Sequence, residues 1–330
     1  LKRSRKNLGY DDLYYLCEVL KTGMSLENAL ELLGNDTNRD CYENILVSFS
    51  KGETIEEIFP RFLNPKVNDY FVSFIKALPF DKALSLALQF YKEEKETEEE
   101  LIKNITYPFI LLFVSVTALY LFDRLGMDLL MNMLKSFSDD LYIYEVIRMI
   151  IRVIACTFYF GLISVSLLAL YLSRKKRLII SYEWLSRHLN NSIIKSMCSQ
   201  KLISFMLIGS KNGYSTKEVL KLIRSVKSKP VLSVMAYKLD EFLMEGRSLF
   251  EAADFSLYDS LLTNYLRIAT GVKDYMSILE NYVELNRKKI KNTMKSLSLK
   301  LQLIIYAFIG MVIVFVYQIL FLPMSAISNF

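Results

Sequence analysis

The sequence predicts an all-α, polytopic membrane protein with two homologous helical-bundle cytoplasmic domains and three transmembrane helices. Three observations carry that prediction. Apolar residues concentrate in three long uncharged runs, the rest of the chain spaces its apolar positions at helical intervals, and one helical corner occurs twice. KTGMSLENALELL (21–33) and KNGYSTKEVLKLI (211–223) share a layout 190 residues apart.

Elements follow in chain order. Residues 1–103 form the first cytoplasmic helical domain. Between Lys103 and Asp123 lie 19 uncharged residues, between Arg152 and Arg174 lie 21, and no charge follows Lys300. Each run is long enough for a hydrocarbon core of about 30 Å at about 1.5 Å per residue. The transmembrane helices are therefore placed at 104–122, 153–173 and 301–323, with an external loop at 123–152, a second cytoplasmic helical domain at 174–300 and an external tail at 324–330.

Lys and Arg mark the cytoplasmic side of membrane loops. SRKKR follows the second run, and Arg287, Lys288, Lys289, Lys291, Lys295 and Lys300 precede the third. The start, LKRSRKNLGYDDLYYL, lacks a signal-peptide pattern. The expected location is the cytoplasmic membrane, multi-pass, with the N-terminus and both helical domains cytoplasmic. The four cysteines have no CxxC spacing and are expected as free thiols.

The duplication extends beyond its first corner. Gly23 and Gly213 stand where a helix ends in the left-handed conformation, and Ser25 and Ser215 follow as N-caps, the latter with Glu218 in a capping box. Thr54 with Glu57 after Gly52 corresponds to Ser248 with Glu251 after Gly246. SLALQFY (85–91) aligns with MSILENY (276–282), so the offsets run 190, 194 and 191 in order. Two related domains, each leading into a long charged helix and a span, account for this.

With these residues the chain resembles the platform proteins of type II secretion and type IV pilus systems, the F-domain proteins. The resemblance rests on the duplicated Gly-x-Ser corner, Tyr107-Pro108 opening the first span, the FLP ending of the third span at Pro323, and the order of domains and spans from about Tyr10 to Pro323. The chain departs in carrying ALPFDKAL (77–84) and ATGVKDYM (269–276), which keeps Gly271 but neither glutamate, where relatives often have Gly-Glu-x-x-Gly. An acidic cation site in the first domain is therefore not among the features the resemblance implies. Richness in Lys, Ile, Asn and Tyr makes the chain similar to the short competence pseudopilus platforms of Gram-positive bacteria. The resemblance implies a platform that couples a cytoplasmic pilus-assembly ATPase to extraction and polymerisation of pilins or pseudopilins, for DNA uptake or secretion. Its implied partners are that ATPase, the pilins, the lipid membrane and further copies of the chain, without direct contact to nucleic acid.

Motifs for chemistry are missing. His188 is the only histidine, and no Walker A, GxSxG, HExxH, paired CxxC or EF-hand pattern is present. No enzyme activity, cofactor, metal or catalytic residue is expected. The three uncharged runs hold none of the ionisable residues that transporters place in their spans. Gly161 and Gly310 are read as close-packing positions and Gln302 and Gln318 as helix-helix hydrogen-bonding groups. An oligomeric small transporter or a membrane sensor scaffold is the alternative class.

Charge separates the halves. Residues 1–104 carry 14 basic and 19 acidic residues, and residues 173–300 carry 23 and 11. KEEKETEEE (92–100) is expected as the solvated face of a long helix, with docking to the basic half of the same or a neighbouring subunit as the other possibility. The basic half has three readings: attraction of the residues flanking the spans to anionic lipid headgroups, contact of Lys211, Lys217, Lys221, Arg224 and Lys227, joined by Lys229, with an acidic patch on the motor around the second corner, and last DNA binding, for which no recognisable module is present.

Overall fold

The computed structural model describes residues 7–34, 38–134, 142–172, 192–247, 258–269 and 275–328, with isolated positions at 179 and 251. Regular structure among them is helical throughout: α1 (Tyr10–Lys21), α2 (Leu26–Leu33), α3 (Arg39–Ser50), α4 (Ile55–Ile58) with a 3-10 turn (Phe59–Arg61), α5 (Pro65–Phe74), α6 (Phe80–Leu121), a π turn (Phe122–Gly126), α7 (Met127–Leu134), α8 (Tyr142–Leu172), α9 (Ser192–Lys211), α10 (Thr216–Ser225), α11 (Pro230–Met244), α12 (Ser260–Ala269) and α13 (Tyr275–Ser328).

The corners explain where the short helices stop and start. Gly23 and Gly213 take φ of +87° and +85°, and Gly52 and Gly246 take +82° and +79° at the next corner of each copy. A Cβ would strain this left-handed backbone. At the second copy the Gly213 N–H donates to Ser210 O at 2.9 Å and the Tyr214 N–H to Gly209 O at 3.1 Å, the paired closure of a Schellman cap. The next helix begins at once: the Asn28 N–H donates to Ser25 Oγ at 3.4 Å, and Ser215 and Glu218 exchange hydrogen bonds in a capping box. Thr54 and Glu57 form the equivalent box ahead of α4. Ser248 and Gly271 lie outside the described residues.

The chain divides into two compact units. The first comprises Leu1–Glu98 and Lys175–Ile290, so the two copies pack together as one unit. Their core positions correspond: Leu13 and Ile203, Leu16 and Met206, Leu30 and Leu220 are all buried at the 190-residue offset. These side chains belong to one continuous apolar cluster. Short helices bury one stripe each, and each copy completes its burial against the other. Aromatics form the join, with Phe90 stacked on Phe205 at 4.0 Å and Tyr70 edge-on to both at 5.8 Å.

The second unit comprises Glu99–Arg174 and Lys291–Phe330. Stretches long and apolar enough to cross a membrane lie within Thr106–Leu129, Arg148–Leu168 and Tyr275–Val314. Their large apolar side chains are exposed, as lipid-facing surface requires. This is a multi-pass membrane protein. Pro108 sits inside α6, where it removes one helical hydrogen bond. An added Cβ would meet nothing within 4 Å at Gly161 or at Gly310, so within the described residues neither is a close-packing position. Gln302 donates to Ser298 within its own helix at 3.4 Å.

Helix continues through much of the expected external loop. The π turn and α7 extend beyond Leu121, and α8 begins at Tyr142. The first two apolar stretches consequently include Asp123 and Asp128, and Arg148 and Arg152. These charges stand at the ends of the uncharged runs 104–122 and 153–173, and Asp123 and Asp128 pair with Arg148 and Arg152.

Candidate functional site

Two constructions in the first unit bring the copies together. One is a buried charge hub on α6. Glu94 belongs to the KEEKETEEE run, yet it is 2% exposed. The Tyr70 hydroxyl donates to its Oε2 at 2.7 Å. The Lys201 ammonium donates to Oε1, and Lys229 donates to the same oxygen at 2.5 Å. Lys229 also lies over the Tyr70 ring, 5.9 Å from its centroid. Burial alone would raise the Glu94 pKa, but the two lysines outweigh it and hold the carboxyl down to about 2. Burial and the adjacent carboxylate push the Tyr70 hydroxyl well up.

Neighbouring contacts repeat the theme. Arg287 donates to Glu93 at 2.6 Å, Asn212 to Gln89 at 3.0 Å, and the Ser73 hydroxyl to the Ser225 carbonyl at 3.2 Å. The acidic run is therefore solvated only in part. Glu93 and Glu94 serve the docking of the acidic half against the basic half of the same chain, while Glu96 and Glu99 remain exposed.

The second construction is a groove of about 270 Å³ between the end of α5 and α10. Lys76, Ala77 and Leu78 line one side, and Tyr214, Glu218, Lys221 and Leu222 the other. The capping box fixes the α10 wall, and the Ser215 N–H and hydroxyl, with Lys221, lower the pKa of Glu218. Apolar floor and cationic rim together suit a partner that offers an acidic group beside an apolar side chain.

The sequence-derived cations divide. Lys211 pairs with Glu280 at 2.7 Å, and Arg224 lies 4.0 Å from Asp240 with its guanidinium 4.7 Å from the Tyr237 ring. Lys229 serves the hub. Lys217, Lys221 and Lys227 are exposed and make no ion pair among the described residues. Spacing identified this basic corner; it could not show which lysine turns inward.

In the second unit Tyr107 and Tyr306 share a hydrogen bond at 3.3 Å between α6 and α13. Both α6 and α13 also line an apolar groove of about 330 Å³ that includes Val114, Ala118, Ile309 and Val312. Pro323 lies within α13 near its end. His188 lies outside the described residues. No group of three or more His, Cys, Asp or Glu side chains positioned for a metal occurs among the described residues.

Residues 202–323 match the family model of the type II secretion system (T2SS), protein F. The match takes in α10, with its cationic face, and the apolar stretch of α13. No curated protein matches the chain.

Proposed function

We propose, from the match of residues 202–323 to the type II secretion system protein F model and the three apolar stretches, that the chain is the membrane platform of a pilus-like machine. It couples a cytoplasmic assembly ATPase to the extraction and polymerisation of pilins or pseudopilins. A competence pseudopilus serving DNA uptake is the machine we favour, on the composition of the chain, and both helical copies face the cytoplasm in this scheme. The chain makes and breaks no bond; it transmits force, and it works as an oligomer.

The observation that carries this proposal is the groove between α5 and α10, with unpaired Lys217, Lys221 and Lys227 on and around the α10 wall. An acidic, partly apolar element of the motor fits such a surface, and charge there steers association. The apolar groove between α6 and α13 suits the hydrophobic helix of a pilin.

The test is binding of the detergent-solubilised chain to the pilus-type ATPase of the same cell, with the hydrolysis rate as readout. Replacing Lys217, Lys221 and Lys227 with Glu is expected to abolish binding and filament assembly while membrane insertion persists. Unchanged binding by the triple variant removes this groove as the motor contact; no binding by the parent chain removes the platform reading.

The transporter alternative gains one observation, the charged cluster of Asp123 with Arg148 and Arg152 in the apolar stretches. Asp123 is held between two arginines at the ends of those stretches, an arrangement suited to a clamp. Substrate-dependent flux in reconstituted vesicles would nevertheless favour transport.

A further inference from the structure

The π turn after α6 places Asp123 on α8, and the contact leaves a shaped, charged groove beside it. Asp123 is fully buried, with Arg148 Nε 3.2 Å from one carboxylate oxygen and Arg152 Nε 3.1 Å from the other. Arg148 turns its outer end to Asp128 at 2.6 Å. The outer nitrogens of Arg152 have no acceptor among the described residues, and its side chain is 48% exposed. Glu145, two helical turns earlier, has no cation within ion-pair distance among them.

Glu145, Arg148, Met149, Arg152 and Val153 are spaced 3, 4, 7 and 8 residues from the first, which is one face of α8. That face and Met131 of α7 line a groove of about 440 Å³. Its position in the membrane is given by the sequence of α8: the apolar stretch starts at Arg148, so the groove lies at the level where hydrocarbon gives way to headgroups. Irregular helix and intramembrane charge are both features that mark functional positions.

We infer that this groove binds a zwitterionic phospholipid headgroup, with its phosphate on Arg152 and its primary ammonium on Glu145. Charge selects that occupant. Among the described residues Asp123, Asp128 and Glu145 are matched by Arg148, Arg152 and the neighbouring Arg124, a balance that a net-neutral headgroup keeps and a net anionic one does not. A phosphate alone would satisfy Arg152 and leave Glu145 against like charge, whereas a phosphoethanolamine group answers both. Met149, Val153 and Met131 supply apolar surface for the first methylenes of the acyl chains. Arginine suits phosphate because its planar fork presents several N–H groups at once.

The inference is independent of motor coupling and is tested on the full chain without it. The protein is reconstituted with equal fractions of phosphatidylethanolamine, phosphatidylglycerol and phosphatidylcholine, and retained lipid is identified by native mass spectrometry. Phosphatidylethanolamine is expected to be retained about tenfold over either competitor, the scale of one charge-assisted pair. Glu145→Gln should bring retention of phosphatidylethanolamine and phosphatidylcholine to parity, and it leaves the Asp123 clamp untouched. Arg152→Gln should lower retention of all three, with folding checked by the helical circular-dichroism signal. Equal retention by the parent chain, preference for phosphatidylglycerol, or a preference that survives Glu145→Gln would overturn the assignment.

Discussion

Glu94 shows how a side chain acquires a role opposite to that of its neighbours in sequence. Within KEEKETEEE it is one carboxylate among several, and composition reads all of them as solvated. On α6 its direction points it into the aromatic join, where Tyr70, Lys201 and Lys229 take its oxygens. A buried carboxylate left alone would cost several kcal/mol, and two ammonium groups left alone would cost as much. Glu94→Gln is thus expected to lower stability by about 3–5 kcal/mol, read as a fall in melting temperature by circular dichroism in detergent. Replacing Glu94, Lys201 and Lys229 together with apolar residues should recover most of that loss. Acid gives a second reading. The unfolded carboxyl titrates at about 4.3, the folded one at about 2. The stabilisation is complete above the unfolded value and is lost as pH falls toward the folded one, an effect of about 3 kcal/mol. The melting difference between the parent chain and Glu94→Gln should therefore shrink between about pH 4.5 and pH 2; a constant difference would show that charge is not what the hub contributes.

At the scale of elements the corner between α9 and α10 combines a cap with a close approach. Helix α9 ends in its Schellman closure at Gly213, and α10 returns across it so tightly that a Cβ at Gly209 would come within 2.4 Å of Val219 Cγ2. Overpacking of this kind costs about 1–3 kcal/mol. Gly209→Ala should be destabilising by that amount, and Val219→Ala in the same chain should restore part of it. A double-mutant cycle showing simple additivity would mean that the two residues do not meet. The corner itself was legible from Gly-x-Ser spacing, since left-handed glycine and N-cap serine act through local backbone geometry. The tight crossing was not, because Gly209 inside IGSKNG carries no local signal for the residue that approaches it. That helix runs on into the segment 123–152 was not legible for a related reason. Asp123, Asp128, Arg148 and Arg152 counted as loop charges in sequence, but facing helices neutralise them pairwise and let the helix run on.

For the whole molecule, the division into an acidic and a basic half is spent partly inside and partly outside. Lys201, Lys229 and Arg287 meet Glu94 and Glu93 and hold the two copies in one unit. Helical class, spans and duplication were readable because each repeats a short-range pattern; the packing of the copies against each other depends on contacts more than 100 residues apart and was not. The remaining corner lysines 217, 221 and 227 are exposed, so their charge does little for stability. Two charge-changing variants should therefore part company. Lys217, Lys221 and Lys227 changed to Glu should leave the melting temperature within about 2 °C of the parent, since surface substitutions of this kind shift stability by only a few tenths of a kcal/mol each. Lys201 and Lys229 changed to Gln should lower it strongly, because Glu94 then stays buried without a counter-charge. Measured side by side, the first variant isolates the outward cations as a docking face, with coupling to the motor lost and the fold kept. A large fall in melting temperature for the first variant would instead place those lysines in the scaffold and take from the groove its role as a contact surface.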